Sequence, residues 1–153
     1  MVRKWRNYEG IRKWMYNDHE ISIEEHTKFI NSLKISNEKV FWLVKIDEDY
    51  IAVLDLLNIN WQYKRAYFGI YANPETQMKG IGKLLDNLAV KIVFEILNFH
   101  SLKLEVIESN ERVINLHKKM GFTEEGKLKD YVFKDGKWCD VITMGKINAK
   151  EEY

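Results

Sequence analysis

The residues best able to do chemistry lie in one stretch, Asn73-Pro74-Glu75-Thr76-Gln77-Met78-Lys79-Gly80-Ile81-Gly82-Lys83. An aromatic, apolar run leads into it and a helical pattern leads out, so Gln77, Gly80 and Gly82 stand at a strand-to-helix turn. The first N–H groups of a helix lack intrahelical partners and carry the positive end of its dipole. Glycine removes the Cβ that would hold an anion away from that backbone. Lys79 and Lys83 add positive charge beside it. This is the chemistry of a pyrophosphate cradle. A glycine pair at a helix start also occurs without any ligand, so the spacing has to discriminate. A dinucleotide-binding G-x-G-x-x-G fails at Leu85, where a third small residue is required. A P-loop fails at Gln77, where glycine is required, and at Leu84, where Ser or Thr is required.

A second constellation runs Asn110-x-x-Val113-Ile114-x-Leu116-His117-x-Lys119-Met120-Gly121-Phe122. Asn110 suits a helix N-cap, and Gly121 suits the left-handed end of that helix, with Phe122 packing back after it. Two carboxylates, Asp55 and Glu105, fall within strand patterns on either side of the glycine stretch. The four histidines, His19, His26, His100 and His117, have no metal-ligand spacing, and no metal is expected. No Ser-His-Asp set is supported.

The elements that must position these residues alternate between strand and helix. Residues 1–16, with Trp5-Arg6-Asn7 and Trp14-Met15-Tyr16, read as short helical or loop pieces. A clearer helix spans 22–33, opened by a capping box of Ser22 and Glu25. Strands follow at 40–46, 50–58 and 64–72, the last two antiparallel because only a short polar connection joins them. Ile81, Leu84, Leu85, Leu88, Ala89, Ile92, Val93, Ile96 and Leu97 predict one helix over 80–99. A strand at 101–108 is then parallel to 64–72, since a helix joins the two. A helix at 110–120 precedes a hairpin of 122–133 and 137–146 around a three-residue loop, Lys134-Asp135-Gly136. The fold class is α/β (α+β), a mixed sheet with helices on both faces. One domain is expected over 1–147, with 148–153 a frayed tail.

Composition excludes several functions. The chain has 153 residues and a formal net charge of +1, so nothing argues for nucleic-acid binding or disorder. Cys139 alone allows no intrachain disulfide framework. No apolar run reaches membrane length and no signal peptide is visible, which predicts a cytoplasmic protein. The aromatic content of 13% fits either a dense core or a site that grips rings.

The glycine stretch resembles motif A of the GCN5-related N-acetyltransferases (GNATs), in which Pro, two residues, Arg or Gln, and then x-x-G-x-G recur. Pro74 to Gly82 matches at every fixed position. The Asn110 to Phe122 segment resembles motif B of the same family. The resemblance implies acetyl-CoA as co-substrate. Its pyrophosphate would lie on Gln77, Met78, Lys79, Gly80, Ile81, Gly82 and Lys83, and its pantetheine arm on the backbone of Ile70 to Ala72, with Asn110 nearby. It also implies a sheet of about six strands, with the family's first strand either absent here or lost to a misassigned gene start. Motif B usually carries a tyrosine that protonates the departing thiolate. His117 stands in its place, and an imidazole can carry that proton. Glu105 and Asp55 are the candidate bases for the attacking amine, in a direct-attack, ternary-complex reaction.

A narrower resemblance covers nearly the whole chain. The Trp5-Arg6-Asn7, Trp14-Met15-Tyr16, Phe68-Gly69-Ile70-Tyr71 and His100-Ser101-Leu102 segments are similar to the N-acetyltransferases of pseudaminic acid biosynthesis. These acetylate the 4-amino group of a UDP-linked amino-deoxy sugar. By that resemblance Arg6, Met15, Tyr16, His26 and Tyr71 would contact a nucleotide-sugar. The alternatives are a GNAT acting on a protein N-terminus or small amine, or a non-catalytic acyl-CoA-binding module. A homodimer is the expected assembly, with neither nucleic acid nor membrane as partner.

Overall fold

The computed structural model describes residues 1–150. The elements run α1 (Val2–Asn7), α2 (Glu9–Arg12), α3 (Ile23–Leu33), β1 (Val40–Ile46), β2 (Asp49–Asn60), β3 (Arg65–Ala72), α4 (Ile81–Val90), β4 (Ser101–Ile107), α5 (Glu111–Lys119), β5 (Thr123–Lys134) and β6 (Lys137–Ile147). A π-helical turn, Lys91–Ile96, continues α4. The six strands form one mixed sheet in the order β1-β2-β3-β4-β6-β5, with only β3 and β4 parallel. Among the described residues no strand precedes β1, and no helix is long and apolar enough to cross a membrane.

β2 is the buried centre, and Ile51 through Leu56 are all covered. On one face Leu54, Leu56, Phe68, Leu102, Leu104, Val106 and Met144 meet Ala89, Val93, Phe94 and Ile114 from the α4 and α5 side. On the other face lie α1 to α3, where Phe29 of α3 meets Phe41 of β1 edge-on at 5.0 Å. α3 opens with the expected capping box: Ser22 Oγ accepts from Glu25 N–H at 3.1 Å, and Glu25 returns a bond to Ser22 N–H at 2.7 Å. α5 closes in a Schellman motif. Phe122 N–H donates to His117 O and Gly121 N–H to Lys118 O, with Gly121 at φ 89°.

Three expectations are corrected. The helix predicted over 80–99 is α-helical only to Val90. It then widens into the π turn, where Leu97 N–H reaches Ile92 O and the consecutive residues Val93 and Phe94 are both buried. The hairpin loop has two residues rather than three, because Lys134 pairs with Lys137. Asp135 and Gly136 take φ values of 50° and 75°, the positive pair that a two-residue hairpin turn requires. The tail does not fray at Asn148, which is buried. Its N–H donates to His100 O and its amide to Phe99 O. Residues 151–153 of the expected tail lie outside the described residues.

Candidate active site

The site begins with strand register. β3 and β4 pair only at Arg65↔Ser101, Ala66↔Leu102 and Tyr67↔Lys103. Beyond these, β3 stays paired with β2 to Ala72 and β4 with β6 to Ile107, so their facing edges leave an opening in the sheet. Asn73 donates its N–H to Ile51 O on β2 at 2.8 Å. Alternation along the strand therefore turns the backbone groups of Ile70 and Ala72 away from β2 and towards the opening. Unpaired strand groups in mid-sheet are ready to bond an extended, amide-bearing chain.

The turn after β3 is built by Asn73. Its Oδ1 accepts from Glu75 N–H at 3.0 Å, its Nδ2 donates to Tyr50 O at 3.2 Å, and its O accepts from Thr76 N–H at 2.9 Å. Gly80 caps α4 at φ 77°, a left-handed conformation, and no atom lies within 4 Å of where its Cβ would stand. Space and the first-turn N–H groups of Ile81, Gly82 and Lys83 meet there, which fits a pyrophosphate. Gly82 does a second job. A Cβ on it would lie 2.6 Å from Leu116 Cδ2, so this glycine also lets α4 approach α5. Gln77, Met78, Lys79 and Lys83 are exposed around the same turn.

Register also sorts the candidate side chains. The Tyr67↔Lys103 pair puts Tyr71 and Glu105 on one face, and Val53↔Tyr71 adds Asp55 to it. Glu105, half-buried beside the opening, accepts from Tyr16 Oη at 2.5 Å across 89 positions of sequence. Burial and then this bond raise the Tyr16 phenol well above its ordinary value. Tyr16 is still 43% exposed and meets Tyr131 edge-on, so Trp14-Met15-Tyr16 is no buried packing cluster. Asp55, 7% exposed, lies over Gly69, whose absent Cβ would be 2.8 Å from Asp55 Oδ2. Burial pushes this carboxyl up to about 7, and the Gly69 N–H offsets only part of that. Burial and the Asp55 charge together raise the Tyr71 phenol to about 12, with Arg6 acting in the opposite sense. Burial lowers Arg6, which donates from Nη2 to Asn17 O at 2.7 Å while its buried Nη1 has no partner. Arg6, Tyr71 and Asp55 thus form one polar group, and Tyr16 with Glu105 a second, on the same face.

Met15 joins this face through its backbone O, which accepts from Lys134 Nζ. His26 sits on α3 with the N-terminal ammonium and Arg3 as charged neighbours, and burial lowers its pKa. Asn110 is buried at the start of α5, but its side chain makes no capping bond, so capping does not explain it. His117 lies on the α5 side of the sheet, 3% exposed, with Nδ1 2.7 Å from Asp86 Oδ2. Its ring meets Phe68, the first β3 residue past the last β3–β4 pair, edge-on at 5.7 Å.

A split parallel strand pair, an anion cradle at the next helix and proton-carrying groups around the split are what acetyl transfer from a thioester requires. Residues 1–143 match the acetyltransferase (GNAT) domain family. The chain belongs to this family. It is an acetyl-CoA-dependent N-acetyltransferase.

Among GNAT relatives, the chain is 37% identical over 133 residues to the acetyltransferase PseH of Campylobacter jejuni, covering 87% of this chain and 82% of that one. It is 29% identical over 150 residues to a spermidine N(1)-acetyltransferase of Vibrio cholerae, covering 97% and 87%. The crystal structure of spermidine N-acetyltransferase from Vibrio cholerae with CoA and spermine superposes with a TM-score of 0.90 at 28% identity, covering 97% and 89%.

Sequence reasoning missed two features of this acetyltransferase. One is Asp86, visible in principle as an acid at helical spacing from Gly82, Ala89 and Val93 on an otherwise small or apolar face. The other is a cavity of about 180 Å³ whose lining includes Lys13, Trp14, Ile107, Lys134, Asp135 and Lys137. Its lysines come from two ends of the chain, so no local pattern announces it.

Proposed function

We propose that the enzyme acetylates a primary amine on a nucleotide-linked deoxy-sugar. The acceptor is the 4-amino group of UDP-4-amino-4,6-dideoxy-N-acetyl-β-L-altrosamine, as in pseudaminic acid biosynthesis. The observation that carries this reading is the charge beside Glu105. Ile107 shares the face of Glu105 one alternation further along β4, and it lines the cavity with Lys13, Lys134 and Lys137. Three ammonium groups against two carboxylates, Asp135 in the lining and Asp18 at 3.8 Å from Lys134 Nζ, leave a net positive charge that suits a diphosphate better than a polycation. Trp14 supplies an aromatic wall for a base. The unpartnered Nη1 of Arg6 adds a donor for the sugar or its phosphates. The similarity to PseH supports the same reading.

In this reading the thioester lies in the opening, with its carbonyl held by the backbone of Ile70 and Ala72. The amine approaches from the face of Tyr16 and Glu105. Glu105 takes its proton, directly or through water, and the leaving sulfur lies towards α5, where His117 protonates it. Asp55 stands on β2, two strand spacings or about 10 Å from β4, so one carboxylate only can serve the amine. Glu105, beside the opening, is that residue, and Asp55 acts through Tyr71 and Arg6.

The rival acceptor is a polyamine, favoured by the similarity to the Vibrio cholerae spermidine acetyltransferase. Purified enzyme is given acetyl-CoA with the UDP-linked amino sugar, spermidine or an N-terminal peptide, and CoA release and product mass are followed. Turnover of the sugar at a kcat/KM at least tenfold above spermidine is expected. A preference for spermidine or the peptide overturns the proposal. Acetyl-CoA binding without turnover of any amine returns the chain to a non-catalytic binding module.

A further inference from the structure

Asp86 and His117 form a pair that the reaction outlined so far leaves half-used. Asp86 is 0% exposed and His117 3%, and their bond of 2.7 Å spans the contact between α4 and α5. Leu85, Ala89 and Val93 of the same helical stretch are all buried, and the second oxygen of Asp86, Oδ1, has no partner. A carboxylate in such surroundings costs stability unless it is paired, and a packing role alone would be better served by an apolar side chain. The His117 ring is held on two further sides, edge-on by Phe68 at 5.7 Å and by Phe122 at 5.8 Å. It therefore cannot turn freely to present either nitrogen.

We propose that Asp86 is a positioning residue for proton transfer. Its carboxylate accepts from Nδ1–H of His117, which selects the tautomer and leaves Nε2 as the only ring atom that exchanges a proton with the leaving sulfur. It also stabilises the charge the ring carries while Nε2 is protonated. The proposal rests on the reading of His117 as the acid. As the amine nitrogen bonds the carbonyl carbon, the C–S bond breaks with its electron pair on sulfur, and sulfur takes the Nε2 proton. The proton lost by the amine goes to Glu105, and both groups return to their starting states by exchange with solvent. A phenol at position 117 brings its own proton and needs no carboxylate behind it, whereas an imidazole does. The acid at 86 and the histidine at 117 are in this account one device.

The test uses the full chain. In wild-type enzyme, ¹⁵N resonances of the His117 ring are expected to show Nδ1 protonated, and an unprotonated Nδ1 overturns the proposal without any variant. Asp86→Asn is expected to lower kcat about hundredfold, within the range of general acid–base effects, while KM for acetyl-CoA changes less than about twofold, as for an interaction used in the transition state. In a His117→Tyr background the same substitution should cost less than about twofold in kcat, since the coupling partner is gone. Equal losses in both backgrounds mean a purely structural role and overturn it, as does a kcat in Asp86→Asn within twofold of wild type. Full turnover by His117→Phe would instead remove the acid itself, and that outcome is distinct from a failure confined to Asp86.

Discussion

Asp55→Asn tests the electrostatics of the sheet face shared by Asp55, Tyr71 and Arg6 through stability. The carboxyl is 7% exposed, one oxygen is unpartnered, and burial raises it from an ordinary 3.8 to about 7. The native state then keeps a proton that the unfolded chain has already released, so stability falls as pH rises from about 4 to about 7, and the loss is complete above that. At 1.36 kcal/mol per pH unit the cost reaches about 4 kcal/mol at pH 8. Asparagine keeps the shape, accepts from the Gly69 N–H and carries no charge. Asp55→Asn should therefore be more stable than wild type by about 2–4 kcal/mol at pH 8, a rise in Tm of roughly 5–15 °C for a chain of this size. The gain should shrink to about 1 kcal/mol at pH 4.5, where the native carboxyl is neutral. Urea titrations of both proteins at the two pH values measure it. A difference that does not change with pH, or an asparagine variant less stable at pH 8, would refute the reasoning that burial dominates at Asp55.

Glu105→Gln should lower kcat by about a hundredfold or more with acetyl-CoA affinity unchanged, while Asp55→Asn costs less than about tenfold; stopped-flow CoA release with the sugar acceptor decides which carboxylate is the base. Gly80→Ala should weaken acetyl-CoA binding in calorimetry and destabilise the fold by about 1–2 kcal/mol, since φ 77° disfavours a side chain although open space surrounds it. Gly82→Ala should instead act mainly on packing, because Leu116 must move, and a lowered Tm with a smaller loss of acetyl-CoA affinity than in Gly80→Ala separates the two glycines. Tyr16→Phe removes the bond to Glu105 from a residue 43% exposed, so KM for the acceptor should rise several-fold with Tm nearly constant; unchanged KM would detach Tyr16 from the acceptor site.

The backbone turns that frame the candidate site were legible in the chain because they depend on local backbone chemistry. Glycine holds a positive φ at least cost, which favours Gly80 at the mouth of α4 and Gly121 at the end of α5. Ser22 and Glu25 write their helix start within four residues, and the alternation of strand and helix patterns announced the mixed sheet. These are consequences of sterics and hydrogen bonding between near neighbours, which spacing alone reports. The opening itself was not legible, since nothing in 64–72 or 101–108 says that pairing stops after Tyr67↔Lys103. Nor was the contact of Tyr16 with Glu105, 89 positions apart, or of Asp86 with His117, 31 apart. The π turn after Val90 and the two-residue turn at Asp135-Gly136 also departed from what periodicity predicted. Each of these depends on how elements settle against one another: where two strands part, which face a side chain shares across the sheet, and how closely one helix can approach the next. The sequence determined which groups were available for acetyl transfer. Packing over long separations decided which of them meet.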